Sequence, residues 1–237
     1  MKPSVPFVLL HGALNDHRVW APLTSALPFE FLALDLPGHG AAGGAPLASI
    51  GALADWVWQA LDARGIDRAV LVGHSMGSLI ALDAAARQPA RAAALVMVGS
   101  CFPMRVAPAL LELAANRPDE AIALIDDYSR SQPDPAQQLL QLMRELQAAQ
   151  HTTNLLVHDL RLCDGYADAL TSAAAVTAPT HLILGAEDRM TPPRKAQALG
   201  EALRATTHVL PAGHALMAEA PQAIATLLTT IHEETKP

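Results

Sequence analysis

Gly73-His74-Ser75-Met76-Gly77 sets a serine between two glycines. It lies where an apolar, β-branched run (residues 69–72) gives way to the Ala/Leu pattern of a helix (residues 78–86). A strand that turns so sharply into a helix leaves no room for Cβ atoms at the flanking positions. Glycine removes them, and the serine can then hold a strained backbone with its hydroxyl exposed. The helix that starts at the serine points free N–H groups at any negative charge forming beside it. The chemistry this suits is attack by Ser75 on an acyl carbonyl, with the Met76 N–H as one donor to the oxyanion.

A serine hydroxyl is a weak nucleophile at neutral pH and needs a base, usually a histidine oriented by a carboxylate. In an open parallel sheet such groups gather beyond the C-terminal ends of the strands. Of the ten histidines, His214 follows an expected strand (residues 206–210) directly, in a turn that Gly213 keeps open. The carboxylate is expected after the preceding strand, where Glu187 and Asp188 compete. The second oxyanion donor is expected after an early strand, at His11-Gly12-Ala13, where glycine lets the Ala13 N–H turn towards substrate. Losing one such donor typically raises the barrier by about 3–4 kcal/mol.

The elements that must position these groups alternate. Residues 5–10 read as a strand, and residues 17–27 as a helix capped by Asn15 or Asp16 with Trp20 and Leu23 inward. Residues 29–34 form the next strand, followed by Asp35-Leu-Pro-Gly-His-Gly40. Ser49 opens an amphipathic helix that closes near Gly65, and residues 92–98 form another strand. Continuous apolar strands between helices imply a parallel sheet covered on both faces. From Cys101 to about Thr177 the alternation stops, and residues 106–116, 119–130, 136–150 and 153–162 read as consecutive helices punctuated by Pro118, Pro133 and Pro135. It resumes with a strand (181–184), a helix (193–203), a strand (206–210) and a final helix (216–231).

Composition bounds the rest. A chain of 237 residues, 51% hydrophobic and 16% charged, fits one domain with an insertion. A net charge of -7 without a basic patch sets nucleic acid and anionic membrane surfaces aside as partners. No apolar run approaches the roughly 18–20 residues that span a bilayer, and the N-terminal run is too short for a secretory signal. Two cysteines, Cys101 and Cys163, fit a reduced, cytoplasmic protein, and no cluster has zinc-ligand spacing. Neither a metal nor a cofactor is expected, and an acidic, aromatic-poor surface makes a monomer the default.

His11-Gly12, Asp35-Leu-Pro-Gly-His-Gly40, Gly73-His-Ser-Met-Gly77, Gly185-Ala-Glu-Asp188 and Gly213-His214 together resemble the α/β-hydrolase superfamily, over essentially the whole chain. The resemblance implies an α/β-hydrolase fold: a mostly parallel sheet, helices on both faces and an inserted helical cap. It implies a core at residues 1–101 and 178–237 and a cap at 102–177. It selects Asp188 over Glu187 as the acid, in the chain order Ser75, Asp188, His214. Residues 11–20 are similar to the carboxylesterase branch of the pimeloyl-carrier-protein methyl esterase type. That type carries a large aromatic after His-Gly, whereas Ala13 opens the acyl pocket here. Serine at the elbow, in place of aspartate, argues for acyl transfer over dehalogenase or epoxide hydrolase chemistry.

Leu14, Met104, Leu110, Met143 and Leu216 are candidates to line that pocket; those in the cap could equally be its own core. His39 and His74 are expected to be structural, His11 to bond within its loop and Cys101 to pack. Between Phe102 and Gly165 stand five arginines (105, 117, 130, 144, 161) and nine acids (112, 119, 120, 126, 127, 134, 145, 159, 164). A net acidic cap disfavours docking of an acidic carrier protein and favours a small, moderately hydrophobic ester. The expectation is a serine carboxylesterase working through an acyl-enzyme. The same triad serves thioesterases, C–C bond hydrolases and cofactor-free peroxidase-like enzymes, and a ligand receptor without turnover is the reading from another class.

Overall fold

Six short apolar runs form a single sheet in the computed structural model, which describes residues 5–133, 137–150 and 153–236. The strands are β1 (Phe7–Leu10), β2 (Phe31–Leu34), β3 (Ala69–His74), β4 (Ala92–Val98), β5 (Thr180–Gly185) and β6 (Thr206–Leu210). Their order is β2-β1-β3-β4-β5-β6, and every neighbouring pair is parallel. The sheet is therefore parallel throughout, where a mostly parallel one was expected. Burial follows position: β1, β3 and β4 are buried along their whole length, while edge strands β2 and β6 are partly exposed.

Helices α1 (Ala21–Thr24), α2 (Ile50–Asp62) and α3 (Met76–Arg87) connect the first four strands. Between β4 and β5 run α4 (Pro108–Asn116), α5 (Pro118–Ser129), α6 (Gln138–Ala149), α7 (Leu155–Gly165) and α8 (Ala169–Ala175). Helices α9 (Gln197–Leu203), α10 (Leu216–Glu219) and α11 (Pro221–Glu234) complete the chain. One face of the sheet packs α2, α3, α8 and α9. The other packs α1 and α11 around Trp20, Leu23, Ile224, Leu228 and Ile231. A third cluster belongs to α4–α7 and takes in Leu14 from the loop after β1. Helix α8 packs with the first face, not with that third cluster.

Several elements differ from the sequence reading, each for a local reason. Residues 17–27 give a 3-10 turn (His17–Trp20) and a four-residue helix, because Pro22 would fall inside a helix begun at His17, where it cannot donate to the carbonyl four residues back. The final helix breaks at Ala220, where Pro221 opens α11 at the position that needs no N–H donor. Residues 193–195 are likewise a 3-10 turn ahead of α9. Helix α8 had no amphipathic pattern to betray it, being alanine-rich and short. Ser49 caps α2 as expected, accepting from the Ala52 N–H at 3.0 Å. The expected helix start at Ala136, with Pro135 and Asp134, lies outside the described residues.

Candidate active site

The groups singled out in the sequence lie on loops that leave the C-terminal ends of β1, β3, β5 and β6. From β1 the chain runs outward to β2 on one side and then crosses to β3 on the other, so β1 and β3 flank the sheet's switch point. Ser75 sits between β3 and α3 with φ 52° and ψ −119°, a conformation that costs a residue with a Cβ about 1–3 kcal/mol. Burial of Met76, Leu79 and Ile80 behind it offsets that cost, since each fully buried side chain of this size contributes about 1.5–3 kcal/mol. The two glycines are spatial requirements. A Cβ on Gly73 would lie 2.1 Å from the Gly77 carbonyl oxygen, and one on Gly77 would lie 2.2 Å from that of Leu10.

Asp188 and His214 are both buried, and His214 Nδ1 donates to Asp188 Oδ2 at 2.8 Å. Glu187, the competing acid, is exposed. The backbone N–H groups of Met190 and Thr191 donate to Asp188 Oδ1 at 2.8 and 2.7 Å, and the Thr191 hydroxyl donates to Oδ2 at 2.7 Å. Burial pushes the Asp188 carboxyl up, but His214 and the Thr191 donors together outweigh it and hold the group well below the usual carboxylate range. Thr191 Oγ1 also stands 3.1 Å from His214 Nδ1. Thr191 was missed in the sequence; its only signal is an aspartate followed three residues later by a threonine, the spacing at which a side chain caps its own turn.

His74 lies under the site. Its Nε2 donates to the His214 carbonyl at 3.0 Å, with the two rings 4.8 Å apart. Burial first, and His214 beside it, lower its pKa to about 3, so it stays neutral. Glu219 braces the same turn. Its carboxylate accepts from the Gly213 N–H, and from the N–H and hydroxyl of Ser131 just beyond α5.

Ser75 and His214 line one cavity of about 890 Å³ together with Gly12, Ala13 and Thr191. No hydrogen bond joins Ser75 Oγ to the imidazole among the described residues, and such bonds commonly tighten only around substrate. The N–H groups of Ala13 and Met76 have no acceptor among the described residues. Met104, Leu110 and Met143 line the cavity, as do Leu113, Leu156 and Leu160. Leu14 and Leu216 do not. Leu14 turns at φ 48° into the core of α4–α7, and Leu216 packs beneath the His214 turn in the α1–α11 cluster. Cys101 and Cys163 are buried and unpaired, and burial pushes the Cys101 thiol up to about 11.

Asp16, His17 and Asp35 are a group of metal-ligating types among the described residues, outside the cavity. Its oxygens are already taken: Arg18 binds Asp16, and the N–H groups of His17 and Ala41 bind Asp35.

A family model described as the alpha/beta hydrolase family matches residues 7–227. Among curated relatives, the pimeloyl-[acyl-carrier protein] methyl ester esterase of Aromatoleum aromaticum is 39% identical over 137 residues, 54% of this chain and 50% of that one. The dihydrolipoyllysine-residue acetyltransferase component of the acetoin cleaving system of Pseudomonas putida is 38% identical over 100 residues, 41% of this chain and 27% of that one. These matches span half or less of the relatives' own length. Among solved structures, a thermophilic esterase superposes with TM-score 0.84 at 24% identity, covering 99% of this chain and 91% of that one. The enol-lactonase of Burkholderia xenovorans does so with TM-score 0.81 at 22% identity, covering 97% and 91%. Likeness at that identity shows a shared fold. No helix among the described residues is long and apolar enough to cross a membrane.

Proposed function

The chain belongs to the alpha/beta hydrolase family, and from that premise we propose that it is a serine carboxylesterase acting on small, moderately hydrophobic esters. The observation that carries this reading is the buried Asp188–His214 pair opening onto the same largely apolar cavity as the strained Ser75. Ser75 Oγ attacks the ester carbonyl while His214 Nε2 takes its proton. Asp188 holds His214 in the tautomer with a proton on Nδ1 and stabilises the imidazolium. The Ala13 and Met76 N–H groups receive the oxyanion. His214 then protonates the leaving alkoxide, and water attacks the acyl-enzyme by the same route in reverse.

A free ester is favoured over a carrier-borne one. Arg105, Arg117 and Arg130, in the segments flanking α4 and α5, and Arg144 on α6 pair with Asp164, Glu120, Asp126 and Asp119, which leaves little net positive charge for an acidic carrier. Two unpaired, buried cysteines support a reduced cytoplasmic setting. Hydrolysis of short p-nitrophenyl esters tests the reading. Ser75→Ala is expected to lower kcat by about 10⁶-fold, to the limit of detection, and a variant that keeps most of its activity overturns it.

A further inference from the structure

The two peptide units that flank Ala13 are each held by a side chain outside the triad. On one side, His11 Nδ1 donates to the Gly12 carbonyl at 2.9 Å, while its Nε2 accepts the Leu36 N–H at 3.0 Å. In a trans peptide the C=O and N–H point in opposite directions, so this bond aims the Ala13 N–H away from His11. On the other side, the Leu14 N–H donates at 2.8 Å to Asp159 Oδ2, a carboxylate on α7, 145 residues away in the chain. Leu14 is thereby kept in the left-handed region, which a leucine does not adopt without compensation.

Asp159 has a second partner at the same oxygen. His39 Nε2, from the loop after β2, donates to Oδ2 at 2.8 Å, and both side chains are almost wholly buried. Burial pulls the His39 pKa down, but the charge and hydrogen bond of Asp159 outweigh it and raise the pKa above the ordinary histidine value. The partner matters because a buried carboxylate without one is strongly disfavoured. Three separate pieces of chain therefore meet on one oxygen atom, one residue from a proposed oxyanion donor.

We propose that Asp159, held by His39, is a positioning residue for the oxyanion site. It fixes the Ala13–Leu14 peptide so that the Ala13 N–H stays aimed at the reacting carbonyl, and it makes α7 a part of transition-state stabilisation. This rests on the Ser75 reading above.

The test is steady-state hydrolysis of p-nitrophenyl butyrate together with inhibition by an aryl trifluoromethyl ketone, whose hemiketal oxyanion occupies the same donors. Asp159→Leu is expected to lower kcat by about 10- to 100-fold and to weaken the inhibitor by a similar factor, with KM within about twofold. Asp159→Asn keeps an acceptor for Leu14 and is expected to recover most of kcat. A folded Asp159→Leu protein with kcat and inhibitor affinity within about twofold of the parent, or a loss confined to KM, overturns the proposal. Should Asp159→Leu fail to fold, His39→Ala is expected to show the same split at smaller amplitude, and an unchanged kcat there overturns it equally. Ser75→Ala in the same assay separates the two readings. Activity that survives it defeats the serine mechanism, whereas Ser75-dependent turnover indifferent to Asp159 defeats this proposal alone.

Discussion

The turn from β3 into α3 and the layer formed by α4–α7 face each other across one cavity, yet they are built on opposite terms. Every residue of β3 is buried, and an added methyl at Gly73 or Gly77 would strike backbone oxygen at close to 2 Å. Neither glycine can take a side chain without moving the main chain. Across the cavity, α5 presents Leu124 and Tyr128 at 40% and 44% exposure, and exposed ion pairs such as Arg117–Glu120 cover the outside. Pairs of that kind are worth about 0–1 kcal/mol. The kind of reaction thus depends on backbone geometry in which neither glycine can be replaced. The choice of substrate depends on side chains that can be exchanged at little cost to folding.

If that contrast holds, changes on the sheet side should dominate. Asp188→Asn removes the charge that holds His214, and kcat is expected to fall by about 10⁴-fold with the fold intact. A loss under about tenfold in stopped assays would mean that the buried pair is not what sets the rate.

Stability should show the same asymmetry. His74 and His11 are buried neutral, with pKa values lowered by burial to about 3 and about 4. A histidine whose folded pKa is depressed gives stability that is fully present above its unfolded value, about 6.5, and lost as pH falls towards the folded one. Between pH 7 and pH 4 each should cost on the order of 3 kcal/mol. The urea midpoint of His74→Gln should therefore fall less steeply with acid than that of the parent. Equal slopes would remove His74 from the account. At the small end, Arg117→Ala should lower Tm by no more than about 2 °C and leave kcat unchanged. A larger drop would put the helical layer on the same footing as the elbow.

How much could be read without coordinates follows the same division. Ser75 and His214 announce themselves through glycines, whose presence reflects main-chain crowding that a sequence records directly. The choice between Glu187 and Asp188 rested on family resemblance, and burial separates the two in space. Leu14 and Leu216 could not be placed, because a hydrophobic residue beside a site looks the same whether it points into a cavity or a core. Thr191 left only a faint local spacing. The contact of Asp159 with His39 and Leu14 left none, since it joins residues 120 and 145 positions apart.

Glu219 adds a mechanical consequence. Its one carboxylate grips both the Gly213 turn and Ser131, while Asp159 on α7 grips the loop after β1 at Leu14. The helical layer is tied to the core at these two points, and a hinged swing would have to break the hydrogen bonds at both. Leu124 and Tyr128 line the cavity as exposed side chains, and side chains of that kind change rotamer in picoseconds to nanoseconds. The bulk of such side chains can be altered one residue at a time without touching either anchorage.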